Sequence, residues 1–108
     1  MIWRGEVWAV KPVTGRAGGG LPMLVVAGNA AIRATDPAPI LAVPIVEELT
    51  VPDNLALLAV RVSEPVTGVA RIIGVTPIRR ARFGECLGRI EEDEMERVDI
   101  ALRAVVDL

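Results

Sequence analysis

Few residues of this 108-residue chain can serve acid–base or nucleophilic chemistry. It has no His and no Tyr, and it has one serine (Ser63), one lysine (Lys11) and one cysteine (Cys86). Nucleophiles activated by a neighbouring histidine, and metal sites built on histidine, are therefore excluded. The acidic residues gather at 47–48 and 91–96, where we expect solvated turns or an exposed helix face rather than a carboxylate metal site. Any catalysis must depend on Arg, Thr, Asp or Glu side chains, and we expect no metal and no cofactor.

The arginines are the most prominent of these groups, because they are concentrated in two basic segments that alternate with two acidic ones. Residues 1–33 carry a net charge of +3 and residues 70–90 carry +4, whereas residues 34–69 and 91–108 carry −4 and −5. Two basic segments could form one phosphate-binding surface, since attraction to a polyanion depends on local charge. The same arginines could instead pair with neighbouring acids on an ordinary surface. The cluster Arg79, Arg80 and Arg82 is our candidate for RNA binding, and it suits an acidic partner segment equally well.

Three further side chains have both a functional and a structural interpretation. Trp3 and Trp8 could stack on nucleic-acid bases. Alternatively, Trp8 packs in the core and Trp3 lies at a dimer edge or on the surface. For Cys86, in the sequence GECLG, we expect a buried and unreactive thiol.

The elements that must position these residues are mostly β-strands. Residues 6–10 alternate in polarity, and the apolar runs at 23–27 and 40–45 are typical of strands buried on both faces. Residues 55–62 and 69–75 predict two more strands, separated by a turn. Thr76 and Pro77 then resemble the cap and first position of a short helical turn that reaches Phe83.

The clearest helix is C-terminal. Met95, Val98, Leu102 and Val105 follow steps of three and four residues, so they share one face. We expect a single domain, residues 1–108, in which the runs at 23–27, 40–45 and 69–75 are the central strands of one closed, bent antiparallel sheet. The apolar face of the helix should pack against that sheet.

Composition also limits the cellular setting. No apolar stretch approaches 18 residues, so no membrane span is expected. Arg4 and Glu6 come too early for a signal peptide, and a single cysteine fits a reducing cytoplasm. With 52% hydrophobic residues, the chain has more apolar side chains than one small core readily hides, which favours a dimer.

An ordered set of short motifs resembles the MazF/PemK-type toxins along essentially the whole chain. The motifs are RGEVW at 4–8, a Gly-rich loop leading into PMLVV at 22–26, VPI at 43–45, residues 78–83, LGRI at 87–90 and the helix at 94–108. The resemblance implies a small SH3-like barrel of the CcdB/MazF type with a C-terminal helix. It also implies a homodimer that cleaves single-stranded mRNA without metal and is silenced by a partner antitoxin.

The stretch GRAGGGLPMLVV, residues 15–26, shows where the chain departs from that family. The family places its cleavage arginine directly before the proline, where this chain has Leu21. It places a threonine or serine after the Val-Pro-Ile stretch, where this chain has Val46. Polar or acidic residues that the family tends to keep late in a later strand are replaced by Ile73 and Gly74.

These replacements remove groups that RNA cleavage requires. Attack by a 2′-hydroxyl needs a proton acceptor, a proton donor and charge to stabilise the phosphorane, and neither leucine nor valine supplies one. Arg16 and Arg33 are the candidates to take over from elsewhere, with Asn29 or Thr14 as hydrogen-bonding neighbours; both arginines could equally be ordinary surface residues. Two functions stay open at this point. One is a growth-inhibiting ribonuclease toxin of a type II toxin–antitoxin pair, and the other is an inactive binding module that acts through protein partners or weak nucleic-acid binding.

Overall fold

The part of the chain that the structure describes folds as a mainly antiparallel sheet of seven strands with a long C-terminal helix. A computed structural model of the chain describes residues 1–12, 20–34, 38–47 and 58–106. The strands are β1 (Glu6–Val10), β2 (Leu21–Val25), β3 (Ile40–Val46), β4 (Ala59–Val62), β5 (Gly68–Arg71), β6 (Thr76–Ile78) and β7 (Phe83–Arg89). The helices are α1 (Asn29–Ala34) and α2 (Glu92–Val106), and short 3-10 turns occupy Ile72–Gly74 and Arg80–Arg82.

The strand order is β4-β5-β3-β2-β1-β7, with β6 also paired to β3. The three apolar runs expected at the centre do lie at β2, β3 and β5, inside that order. The predicted fold class, a mainly β domain with an antiparallel sheet and a C-terminal helix, is confirmed. The expected closure of the sheet is wrong: among the described residues no pairing joins β4 to β7, so the sheet is open and both of these strands are edges.

Each face of the sheet carries its own core, because successive side chains of a strand point to opposite faces. On one face, Leu24, Val43 and Ile45 pack with Val98 of α2. The other residues of the predicted helix face, Met95, Leu102 and Val105, pack against the same cluster, as expected. The opposite face holds two smaller clusters, with members such as Met23 and Ala42 in one and Val25 and Ile32 in the other; Phe83 packs against both.

One acidic residue of α2 is buried, contrary to the expectation that residues 91–96 form only a solvated face. Glu94 is 6% exposed. Its Oε2 accepts hydrogen bonds from the backbone N–H and the hydroxyl of Ser63, at 3.1 and 3.2 Å. Its Oε1 accepts from the backbone N–H of Glu91 at 3.4 Å, in the manner of a capping box. The carboxylate therefore joins the start of α2 to the segment that connects β4 and β5.

The observed secondary structure differs most from the predicted one between residues 69 and 89. The strand expected at 69–75 ends at Arg71 and continues as a 3-10 turn, and Thr76–Ile78 is a strand rather than the start of a helical turn. Pairing with β3 overrides the local cap signal, since Ala42 lies opposite Thr76 and Leu41 opposite Pro77. The helical turn comes one step later, at Arg80–Arg82, and leads into β7. Of the strand expected at 55–62, residues 55–57 lie outside the described residues.

Within the described residues, no helix has the length and apolar character needed to cross a membrane.

Candidate functional site

The two positions that the family resemblance assigns to cleavage residues, Leu21 and Val46, lie on neighbouring strands. Met23 of β2 pairs with Pro44 of β3, and Val25 pairs with Ala42. The same antiparallel register, continued toward the start of β2, brings Leu21 opposite Val46. Leu21 is 62% exposed, and Val46 is half-buried. The strand alternation puts both on the face of Met23 and Pro44, so the sheet does bring these two positions together.

The third departure from the family lies against the same strand. A Cβ built on Gly74 would stand 3.1 Å from Cγ and 3.2 Å from Cδ of the Pro44 ring, so Gly74 packs directly on Pro44. Ile73, beside it, is 44% exposed. We use the name apolar cleft for this group of positions: Leu21, Pro44 and Val46 on two paired strands, Gly74 packed on Pro44, and Ile73 next to Gly74 in the chain.

The apolar cleft carries no side chain that can move a proton or hold a charge. All five residues are aliphatic, proline or glycine. None of these five side chains offers a substrate phosphate a guanidinium or a hydroxyl, whereas each positioned acid or base contributes about 10²–10⁴-fold to a reaction of this kind.

Steric crowding explains why glycine occupies position 20, directly before Leu21. A Cβ on Gly20 would stand 2.9 Å from the backbone carbon of Ala9 and 2.9 Å from the backbone nitrogen of Val10. Real Cβ atoms do not approach backbone this closely, so β2 can begin beside the end of β1 only with glycine at this position. This glycine therefore serves the pairing of β1 with β2.

The residues considered as substitutes for the family's arginine lie elsewhere in the structure or fall outside the described residues. Arg16 and Thr14 lie outside the described residues. Asn29 and Arg33 belong to α1, which follows the far end of β2, about 13 Å of strand from Leu21. The Asn29 side-chain oxygen accepts a hydrogen bond from the backbone N–H of Arg4 at 2.8 Å. The structure therefore does not bring Asn29 or Arg33 to the apolar cleft.

Arg33 instead lies against the N-terminal segment. Its Nη2 donates to the backbone carbonyl of Ile2 at 2.7 Å. Its guanidinium carbon stands 3.9 Å from the centre of the Trp3 ring, a cation–π contact. Both partners are uncharged, so the positive charge of Arg33 is not compensated by these contacts.

The predicted RNA-binding cluster is divided among three environments. Arg79 is exposed. Arg80 donates from Nη2 to the carbonyl of Ile32 at 2.6 Å and from Nε to the carbonyl of Ala38 at 3.0 Å, which ties it to the end of α1. Arg82 donates from Nε to the carbonyl of Lys11 at 2.9 Å. Arg80 and Arg82 thus hold backbone in place, and Arg79 alone of the three projects as an ordinary surface cation.

The tryptophans and the cysteine have distinct surroundings. Trp8 is half-buried, packs against the cluster of Ile32 and meets the Phe83 ring edge-on, with centroids 6.0 Å apart. Its indole N–H donates to Oε1 of Glu6 at 3.1 Å. Trp3 is 40% exposed, in keeping with the surface alternative.

Cys86 contradicts the expectation of a buried thiol, because it lies exposed on the edge strand β7. Partial desolvation raises the pKa of the Cys86 thiol, and the nearby Glu6 acts in the same direction. The prediction from the sequence was wrong here because, among the residues that the structure describes, β7 pairs with a strand on one side only. No group of three or more potential metal ligands occurs among the described residues.

Comparison with known proteins identifies the family. Curated protein sequences include no significant match. Among solved structures, an endoribonuclease in complex with its cognate antitoxin from a Mycobacterial species shares 24% identity and a TM-score of 0.80, over 100% of this chain and 97% of that one. A second Mycobacterial endoribonuclease shares 22% identity and a TM-score of 0.79, over 99% and 92%.

A MazE–MazF structure from Deinococcus radiodurans shares 20% identity and a TM-score of 0.76, over 99% of this chain and 96% of that one. At these identities the structures establish the fold. The family model that matches residues 3–106 goes further, because it covers nearly the whole chain. The chain therefore belongs to the PemK-like, MazF-like toxins of type II toxin–antitoxin systems.

Proposed function

We propose that this chain is the toxin-family half of a toxin–antitoxin pair, a cytoplasmic homodimer that binds an antitoxin protein and does not cleave RNA by the family's arginine-and-threonine route. The observation that carries this proposal is the apolar cleft. By the family resemblance, Leu21 and Val46 of this surface stand at the positions of the family's cleavage residues, and none of its five residues can donate a proton, accept a proton or stabilise a developing charge.

The size of the expected loss supports this choice over a retained ribonuclease. Removing one positioned acid or base costs about 10²–10⁴-fold, and removing one donor to the developing charge costs about 10²–10³-fold. By the resemblance, the arginine and threonine positions are both replaced, and Arg33 lies at the other end of β2. We therefore expect the chain to fall well below the cleavage rate of an active toxin.

Binding of an antitoxin is supported by the family and by the surface. Two of the similar structures contain a toxin together with its antitoxin. The exposed side chains of Leu21 and Ile73 give a partner segment apolar anchors in the apolar cleft. Among the described residues, β4 and β7 each pair on one side only, so their outer edges offer backbone groups for strand addition. Self-association is supported by exposed apolar side chains on α2, such as Ile100, which is 67% exposed.

A cleavage assay with restored residues tests the catalytic part of the proposal. The parent chain and the double variant Leu21→Arg with Val46→Thr are each incubated with single-stranded RNA in a chelator. We expect the parent to be inert and the double variant to gain metal-free cleavage. Leu41→Arg, at an exposed leucine toward the other end of β3, is the matched control and should gain nothing. Cleavage by the parent at the rate of an active toxin would overturn the proposal.

Partner binding is tested separately. The chain is co-expressed with the product of its neighbouring gene, and the complex is isolated by a tag on the neighbour. Co-purification that is weakened by Leu21→Asp and unaffected by Leu41→Asp supports an antitoxin at the apolar cleft. Failure to co-purify contradicts the antitoxin assignment. Light scattering at tens of micromolar should give a dimer, and a monomer would contradict the homodimer.

A further inference from the structure

A groove lies between the outer edge of β4 and the side of α2, and α2 covers the face of the sheet opposite the apolar cleft. The groove has a volume of about 600 Å³, within the range of ligand sites. Arg61 and Arg97 line it, and none of the described residues that line it is acidic. Its other lining residues are apolar: Ala59, Val60, Ile100, Ala101 and Ala104. We call it the edge groove.

The edge of β4 is better suited to strand addition than the edge of β7. β4 pairs with β5 in an unbroken register, from Ala59 opposite Arg71 to Val62 opposite Gly68. The pairing of β7 with β1 contains register shifts instead, and such bulges bend a strand and hinder further pairing at its edge. On its outer side β4 has no partner strand among the described residues. An extended segment can therefore pair with the backbone of β4 and lie along the side of α2.

The side of α2 determines which side chains such a segment needs. Arg97, Ile100 and Ala104 follow one another at steps of about one helical turn, or about 5.4 Å. Alternate residues of an extended segment share a face and lie about 6.6 Å apart. A carboxylate beside Arg97 is then followed, at alternate positions, by two side chains that meet apolar surface. The matching pattern is one acidic and two apolar residues, each separated by one residue.

Both arginines already have contacts within the chain, and a carboxylate can compete for them. Nη1 of Arg97 lies 3.6 Å from Oδ2 of Asp93, with the two side chains 54% and 64% exposed, and an exposed pair of this kind contributes little. Arg61 also has a partner within the chain, and both arginines border an adjoining cavity that holds Glu47 and Glu94. On the apolar side of the groove no acid is present, so a carboxylate that enters there gains a charge-assisted hydrogen bond to a guanidinium.

From this combination we infer that the edge groove binds an extended segment of a partner protein by strand addition to β4, with a carboxylate at Arg97 and apolar side chains against Ile100 and Ala104. A second copy of this chain fits less well, because pairing β4 with its copy brings Arg61 of both copies into one groove, where like charges repel. A nucleic-acid strand also fits less well, because no aromatic side chain lines the groove. The inference goes beyond the proposed function and does not depend on it, since it holds whichever protein carries the segment.

Fluorescence anisotropy with synthetic peptides tests the inference. The probes are fluorescein-labelled peptides of sequence TDTVTVT and TVTVTDT, which present the pattern in the two possible strand directions. We expect saturable binding of at least one of them, and no binding when its aspartate is replaced by lysine. Arg97→Gln should weaken binding by about tenfold or more, because a hydrogen bond to a charged group is lost. Arg97→Lys keeps the charge and should retain most of the affinity.

Two further variants locate the site. Arg103→Gln is the matched control, because Arg103 is an exposed arginine of the same helix that does not line the groove, and it should leave binding unchanged. Leu21→Asp alters the apolar cleft and should also leave peptide binding unchanged. Amide NMR signals should shift on binding at residues 59–62 and 97–104.

Backbone methylation of the bound peptide tests strand addition itself. Alternate N–H groups of an added strand face β4, and the others face solvent. Methylation of one alternate set of peptide nitrogens should therefore abolish binding, whereas methylation of the other set should not. Equal binding of the two methylated peptides would contradict strand addition.

Five other results would overturn the inference. Neither acidic peptide binds, or the lysine peptides bind as tightly, or Arg97→Gln and Arg103→Gln weaken binding equally. NMR shifts around Leu21 instead of β4 would assign the peptide to the apolar cleft. Shifts in the edge groove that arise from raising the protein concentration alone, and that exclude the peptide, would assign the groove to a second copy. These readouts involve neither RNA nor the product of the neighbouring gene, so they are separate from the tests of the proposed function.

Discussion

The buried carboxylate of Glu94 should contribute a large part of the stability of this small domain. Glu94→Ala removes two hydrogen bonds from Ser63 and a longer one from the Glu91 backbone. Counting only the two shorter bonds, at about 1.5 kcal/mol each for a charged acceptor, the free energy of unfolding should fall by about 3 kcal/mol. For a chain of 108 residues, each kcal/mol lowers Tm by about 4 °C, so Tm should fall by about 12 °C.

The measurement is urea and thermal unfolding, followed by circular dichroism. Glu96→Ala is the matched control, because Glu96 is exposed on the same helix, and it should change stability by less than about 0.5 kcal/mol. A double-mutant cycle tests the contact between Glu94 and Ser63 specifically. Ser63→Ala should cost about 1.5 kcal/mol in the parent and close to nothing once Glu94 is alanine. Additive effects of the two substitutions, or a Glu94→Ala variant as stable as Glu96→Ala, would refute the reasoning.

Three further predictions concern other parts of the fold. Leu102→Ala should lower the free energy of unfolding by about 2 kcal/mol, the low end for a core leucine, because Leu102 is only partly buried; an unchanged urea midpoint would contradict its packing on the sheet. Gly88→Ala should lower the free energy of unfolding by about 2–4 kcal/mol, because Gly88 has a φ of +139° and an added Cβ would stand 2.9 Å from Cβ of Pro65. Gly28→Ala is the control and should cost far less, because nothing lies within 4 Å of an added Cβ there. Equal unfolding curves for the two variants would count against this prediction. Cys86 should react with a maleimide in the native state, because its thiol is exposed. The rise of the reaction rate with pH should occur at higher pH than in the unfolded chain, because the pKa of the Cys86 thiol is raised in the folded protein. Complete protection from the reagent would show that the thiol is buried.

The sequence predicted most of the sheet because local pattern and tertiary pairing agree there. The runs that became β2 and β3 are apolar on both faces, and most of each face is covered, by α2 on one side and by the clusters around Met23 and Ile32 on the other. Leu21 and Leu41 are the exceptions, because both remain exposed. The C-terminal helix was predictable for the same reason, since its apolar spacing matches a single face.

The errors lie where pairing or a single long-range contact outweighs the local pattern. Thr76 and Pro77 carry a helix-start signal, but β3 recruits them as a strand. In the sequence, Glu94 cannot be told apart from the other acidic residues of α2, and only its contact with Ser63 distinguishes it from them. No local feature of the sequence announces that contact.

The candidate site was predictable in part. The family resemblance placed Leu21 and Val46 at corresponding positions, and the strand register brings them together.

The central claim is that the apolar cleft has lost the family's cleavage chemistry, and the rate of RNA cleavage by the purified parent chain tests it most directly. The measurement follows a single-stranded RNA substrate in a chelator, beside the Leu21→Arg with Val46→Thr variant at the same concentration. The account predicts no cleavage by the parent above the protein-free control, and measurable cleavage by the variant. Metal-free cleavage by the parent, at a rate that the two substitutions do not increase, would contradict it.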